Sequence, residues 1–195
     1  MAATLDQDGF RGRNDDGSES TATWIAAVNT DWTQDVDENF RVRFHITVED
    51  VTVLLTAQLQ YNLNSGGWND VNASSSVVQS SASPNETDNV ITLEQIGGPG
   101  SYWRSWFDEV DGVVTTENYF SGEETEPEYC VQIIGTDVAD TDTIELRVVG
   151  QGAAKTALNT YSQTPTITVN EGGGGGGLSI PVAMHAYRQN SQSVI

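Results

Sequence analysis

The side chains able to do chemistry in this 195-residue chain are few: two histidines, one cysteine and one lysine, set among 28 acids. His45 alternates with Arg41 and Arg43 in a strand-like run, on the positions opposite the apolar ones, so a solvated side chain is expected there. His185 lies near the C-terminus. Neither stands near a Gly-x-Ser-x-Gly elbow, so nucleophilic catalysis has no support. Gly97-Gly98-Pro99-Gly100 lacks the Lys-Ser/Thr that completes a phosphate loop, and reads as a turn. Cys130, inside Tyr129-Cys130-Val131-Gln132-Ile133-Ile134, has no second cysteine to pair with and reads as a small buried hydrophobe on a strand. No Cys/His spacing suits zinc.

Carboxylates and aromatics carry what chemistry remains. Asp6 and Asp8, Asp15 and Asp16, Asp35 to Glu38, Asp108 to Asp111, and Asp137 to Asp142 could each offer oxygen ligands to Ca²⁺, though none follows the EF-hand pattern. Among 28 acids such clusters arise by chance, so no cofactor is expected. Paired carboxylates also serve glycosidases, but that pairing is spatial and leaves no trace in sequence. The run Tyr102-Trp103-Arg104-Ser105-Trp106-Phe107 holds four aromatics in six residues. Such a run can fill a core with alternate members, grip a neighbouring subunit, or stack sugar rings. Tyr102, Trp103 and Trp106 are the candidate glycan or subunit contacts. Trp24, Trp32 and Trp68 read as core or turn-packing residues.

The elements that must position these groups are strands. Phe40 to Val48 places apolar residues at every even position, the period of a half-buried strand. Ala57 to Leu63 runs through Asn64-Ser65-Gly66-Gly67 into Trp68-Asn69-Asp70-Val71, a hairpin in which glycines supply positive φ. Further strands are expected at 89–96, 113–120, 128–134, 143–149 and 160–169, with Pro165 delaying the last or placing it at a sheet edge. No window has a helical period, so the fold class is all-β: an antiparallel sandwich, jelly-roll or immunoglobulin-like. The chain divides into an N-terminal arm or first hairpin (1–20), a sandwich (21–170), a glycine linker (171–177) and a C-terminal docking tail (178–195). The tail's Leu178, Ile180, Val182, Met184, Tyr187, Val194 and Ile195 are the candidate interface with another subunit.

A net charge of −20 repels phosphate backbones, which argues against a nucleic-acid partner. No apolar run approaches the ~18 residues of a membrane span. The start lacks a basic region followed by an apolar one, so synthesis in a host cytoplasm is expected.

The opening Asp8-Gly9-Phe10-Arg11-Gly12-Arg13-Asn14-Asp15-Asp16-Gly17-Ser18-Glu19 with Ala22-Thr23-Trp24 resembles uncharacterised virion proteins of tailed bacteriophages. Leu59-Gln60-Tyr61-Asn62-Leu63 with Trp68, and Tyr129-Cys130 followed by Ile144-Glu145-Leu146-Arg147, fit the same class. The resemblance implies a virion structural role, no enzymatic activity, and the major capsid protein or other virion subunits as partners. A homo-oligomer is expected. The foremost expectation is a capsid decoration (cement) protein on the outer capsid surface, and the alternative is a carbohydrate- or receptor-binding module of a tail fibre.

Overall fold

The computed structural model describes residues 3–151 and 156–172. Residues 173–177 of the glycine tract and the expected docking tail, Leu178 to Ile195, lie outside the described residues. In chain order the elements are β1 (Thr4–Asn14), β2 (Trp32–Asp35), β3 (Asn39–Glu49), β4 (Val53–Leu55), β5 (Ala57–Leu63), β6 (Trp68–Asp70), β7 (Val78–Ser80) and β8 (Ser101–Tyr102). They continue as β9 (Phe107–Asp108), β10 (Glu117–Tyr119), β11 (Glu123–Thr125), β12 (Glu128–Ile133), β13 (Thr143–Gly150), β14 (Thr156–Ala157), β15 (Thr160–Tyr161) and β16 (Thr166–Asn170).

The architecture is an all-β sandwich. One sheet runs β15-β1-β3-β11-β8, with β12 also on β3 and β7 and β9 on β12; the other runs β2-β16-β13-β5-β6, with β14 on β13. A two-stranded ribbon pairs β4 with β10. The long pairs are antiparallel, while the short pairs β1/β15, β11/β8, β12/β9 and β16/β2 are parallel. The core lies between the sheets, where Phe40, Val42, Phe44, Ile46 and Val48 of β3 join Leu59 and Tyr61 of β5 and Ile144, Leu146 and Val148 of β13 in one buried cluster. Two polar ties span the layers: Gln7 Oε1 accepts from the Val148 amide, and the Tyr129 hydroxyl donates to the Ala57 carbonyl.

Several expectations are corrected. Residues 4–14 form no arm: they pair along β3 from Thr4↔Glu49 to Asn14↔Phe40, because Leu5 and Phe10 of β1 are needed in the core. Residues 89–96 contain no strand, since Thr92 and its neighbours lie against 105–107 through isolated bonds. In the hairpin after β5 the positive φ angles belong to Asn64 and Ser65 as well as Gly67. The largest correction concerns β3, which is not half-buried. Arg41 and Arg43 are 0% exposed and His45 is 3% exposed, so the polar face of this strand is as sealed as its apolar one.

Candidate contact surface above a buried ion cluster

The polar face of β3 is occupied by charges in register. Antiparallel pairing sets Arg13 of β1 opposite Arg41, and Arg43 opposite Glu128 of β12. Two arginines facing each other across strands repel, and Glu128 resolves the conflict by serving three guanidiniums. It lies 2.5 Å from Arg43, 3.2 Å from Arg13 and 3.6 Å from Arg41. Burial opposes ionisation of Glu128, but Arg43, Arg13 and Arg41 outweigh it and hold its carboxyl below the usual range.

The remaining donors and acceptors of the cluster reach into the loops that cover it. Arg43 donates to Glu19 (2.7 Å), Glu126 (3.1 Å) and the Leu93 carbonyl (2.5 Å). Arg41 donates to Asp15 and to the Gly17 carbonyl, and lies 4.9 Å from the centre of the Phe107 ring. Arg13 donates to the carbonyls of Ala22 and Glu19, with Trp24 4.7 Å away. Apart from Glu126 and Phe107, these partners belong to 15–24 or 83–97, segments without named strands of their own. The cluster substitutes for the ladder they lack.

Anions outnumber cations here, and backbone amides meet the excess. Glu126 accepts from the amides of Gln95, Ile96 and Gly97, and Glu124 accepts from the amide of Gly100. The glycine turn 97–100 therefore cradles anions after all, and they are carboxylates of its own chain. A Cβ on Gly98 would come within 2.4 Å of Glu124 Oε2 and 2.6 Å of the His45 ring, so this approach requires glycine. His45 bonds Asp8 through Nδ1, and its Nε2 lies 3.4 Å from Glu124. Burial works against charge on His45, but Asp8, Glu124 and Glu126 outweigh it and raise its pKa. A protonated ring hydrogen-bonds Asp8 and sets its charge against Glu124 without a hydrogen bond to it. His45 is thus a sealed ion-pair member, which corrects the expectation of a solvated side chain.

Several other acids likewise hold backbone. Asp16 accepts from Thr23, Asp108 from Gly112, Glu109 from Ser83 and Asp88, and Asp142 from Ala139. Among the described residues no three His, Cys, Asp or Glu side chains are grouped to hold a metal ion. Cys130 is buried on β12, as its apolar run implied, with its thiol pKa raised by burial. A groove of about 390 Å³ between Leu5, Val53 to Leu55 and Leu158 offers no acid, base or thiol.

What faces outward is the covering layer itself. Thr92 donates its amide to Ser105, Phe107 donates to Val90, and Ile91 bridges Trp106, so 90–93 and 104–107 lie side by side. Their buried members are Thr92, Ser105 and Phe107; Ile91 (46%), Leu93 (53%) and the adjoining Trp103 (41%) remain exposed, with Trp106 half-buried. Arg104 sits between the two indoles, its guanidinium 5.6 Å from the Trp103 ring and 5.5 Å from that of Trp106, and pairs with Glu117 at 3.1 Å. Tyr102 is half-buried and donates its hydroxyl to the Thr92 carbonyl, tying the two segments together.

The structure thus brings Trp103 and Trp106 into one surface with Ile91, Leu93 and Arg104, three residues the sequence reading did not single out. It places Trp32 in the core, Trp24 against Arg11 and Arg13, and Trp68 against Arg147. The candidate contacts from Leu178 to Ile195 lie outside the described residues. No protein-family model and no curated protein matches the chain.

Proposed function

We propose that the chain is a non-enzymatic virion structural protein, a decoration protein on the outer capsid surface that braces adjacent capsomers. The observation that carries a contact role is the surface formed by Ile91, Leu93, Trp103, Arg104 and Trp106 on a chain of strongly negative charge. Tryptophan and arginine are the residue types that most often dominate the energy of protein contacts. This patch is fixed from below by Glu19, Arg43 and Glu126, so little ordering entropy is lost when it docks. The buried acids, the buried arginines and His45 are spent on holding the fold, which suits a scaffold. The virion setting rests on the resemblance of the Asp8–Trp24 segment. In the decoration role, Leu93→Ser combined with Trp103→Ala leaves the fold intact and lowers copy number on the particle at least tenfold, measured on purified virions by gel densitometry and immunogold labelling. Full occupancy of the double variant, or label confined to the tail, would overturn it.

Glycan binding is the second reading, favoured by the exposed indole of Trp103. The Arg104 guanidinium over both rings weighs against it, because a sugar stacking on that side would have to displace a cation. A glycan array separates the two: retention of any sugar by the native chain but not by Trp103→Ala would favour this alternative.

A further inference from the structure

The same surface also carries information about what it touches. All 28 acids of the chain are among the described residues, and only five of them are buried, whereas three of the six described arginines (Arg13, Arg41 and Arg43) are buried. The interior cluster therefore withdraws half of these arginines and leaves the exterior still more one-sided. At the contact surface the imbalance is local. Arg104 is neutralised by Glu117, Glu94 beside Leu93 is exposed, and Asp88 precedes the 90–93 segment. Apolar anchors inside an acidic rim repel nucleic acid, anionic membranes and a second copy of this chain at the same patch.

Resting on the contact reading above, we propose that the Ile91–Leu93–Trp103–Trp106 surface docks a cationic protein surface: apolar side chains flanked by lysine or arginine. The apolar anchors supply the short-range attraction and the acidic rim supplies orientation and encounter rate. Such binding weakens with salt, because exposed charges more than ~8 Å apart are screened at physiological ionic strength. Self-association through this surface is disfavoured for the same reason.

The test uses the full-length chain and two synthetic peptides with the same Leu, Ile and Trp residues, one spaced by lysines and the other by glutamates. Binding is followed by the indole N–H signals of Trp103 and Trp106 in NMR spectra. The lysine peptide is expected to shift both signals, with affinity falling at least tenfold between about 50 and 300 mM salt, and at least threefold on Glu94→Lys. The glutamate peptide is expected to leave them unmoved. Leu93→Ser with Trp103→Ala should abolish lysine-peptide binding, which separates docking here from adsorption anywhere on an acidic surface. Equal binding of both peptides, or lysine-peptide binding that survives the double substitution, would overturn the proposal. Failure of the contact reading looks different: the double variant then keeps its virion occupancy. If only the partner chemistry is wrong, occupancy falls in that variant but is unaffected by Glu94→Lys and by salt.

Discussion

Arg43 makes ion pairs to Glu19, Glu126 and Glu128 at full burial, and removing such a group strands charges that water cannot reach. Arg43→Met should therefore cost about 3–5 kcal/mol, read as a lower midpoint in urea denaturation. Arg104→Ala breaks the exposed pair with Glu117 and the exposed stacking on Trp103 and Trp106, and should cost only ~1 kcal/mol, because water screens these contacts. Similar losses in both would mean that the interior cluster does not anchor the fold. His45 and Asp108 set the pH response. Burial, with Asp111 adding like charge, pushes Asp108 up to about 7 against the Gly112 amide. Both groups have folded pKa values above their unfolded ones. Each thus contributes stability that is full below the unfolded value and is lost as pH rises through the folded value. Stability should therefore fall as pH rises from about 4 towards 7 on account of Asp108, and above about 6.5 on account of His45. Asp108→Asn should remove the part of that slope below 7, and His45→Gln the part above about 6.5. A flat urea midpoint across this range in the native chain would contradict the assignment.

At the scale of elements, the alternation of Phe40 to Val48 located β3 and its core face, and the same pattern located β5, β12 and β13. What it could not reveal is that the second face is covered, because the cover consists of loops with no period of their own. A signal was nevertheless present. Arg41, Arg43 and His45 recur every second residue, as do Glu124, Glu126 and Glu128, and two complementary alternations on neighbouring strands mark an internal charge layer. The arm expected at 1–20 failed for a related reason: Arg11, Arg13, Asp15 and Glu19 look like solvated turn residues until a partner strand is known. Trp103 and Trp106 were legible as a cluster, but Ile91 and Leu93 became their neighbours only through long-range pairing. The mount on Glu126 is testable by hydrogen exchange. Glu126→Gln removes a charged acceptor from the amides of Gln95, Ile96 and Gly97, which should exchange at least tenfold faster while amides of β5 and β13 keep their protection. Gly98→Ala should loosen the same segment by pressing on Glu124 and His45.

For the whole molecule, the balance is between an interior that pairs its charges and an exterior that does not. A net charge of −20 makes the folded surface repel itself, so added salt should raise the melting temperature, while the buried pairs are little affected. A melting temperature that falls with sodium chloride would place the important ion pairs on the surface instead. On the proposed reading, the same one-sided exterior would keep free copies apart and favour a cationic surface for docking. The most direct measurement is a cryo-EM map of the assembled particle at side-chain resolution. Density for this chain is expected on the outer capsid, with Trp103 and Trp106 buried against apolar residues of a neighbour flanked by lysine or arginine. A map with these indoles open to solvent, or packed on an acidic or nucleic-acid surface, would contradict it.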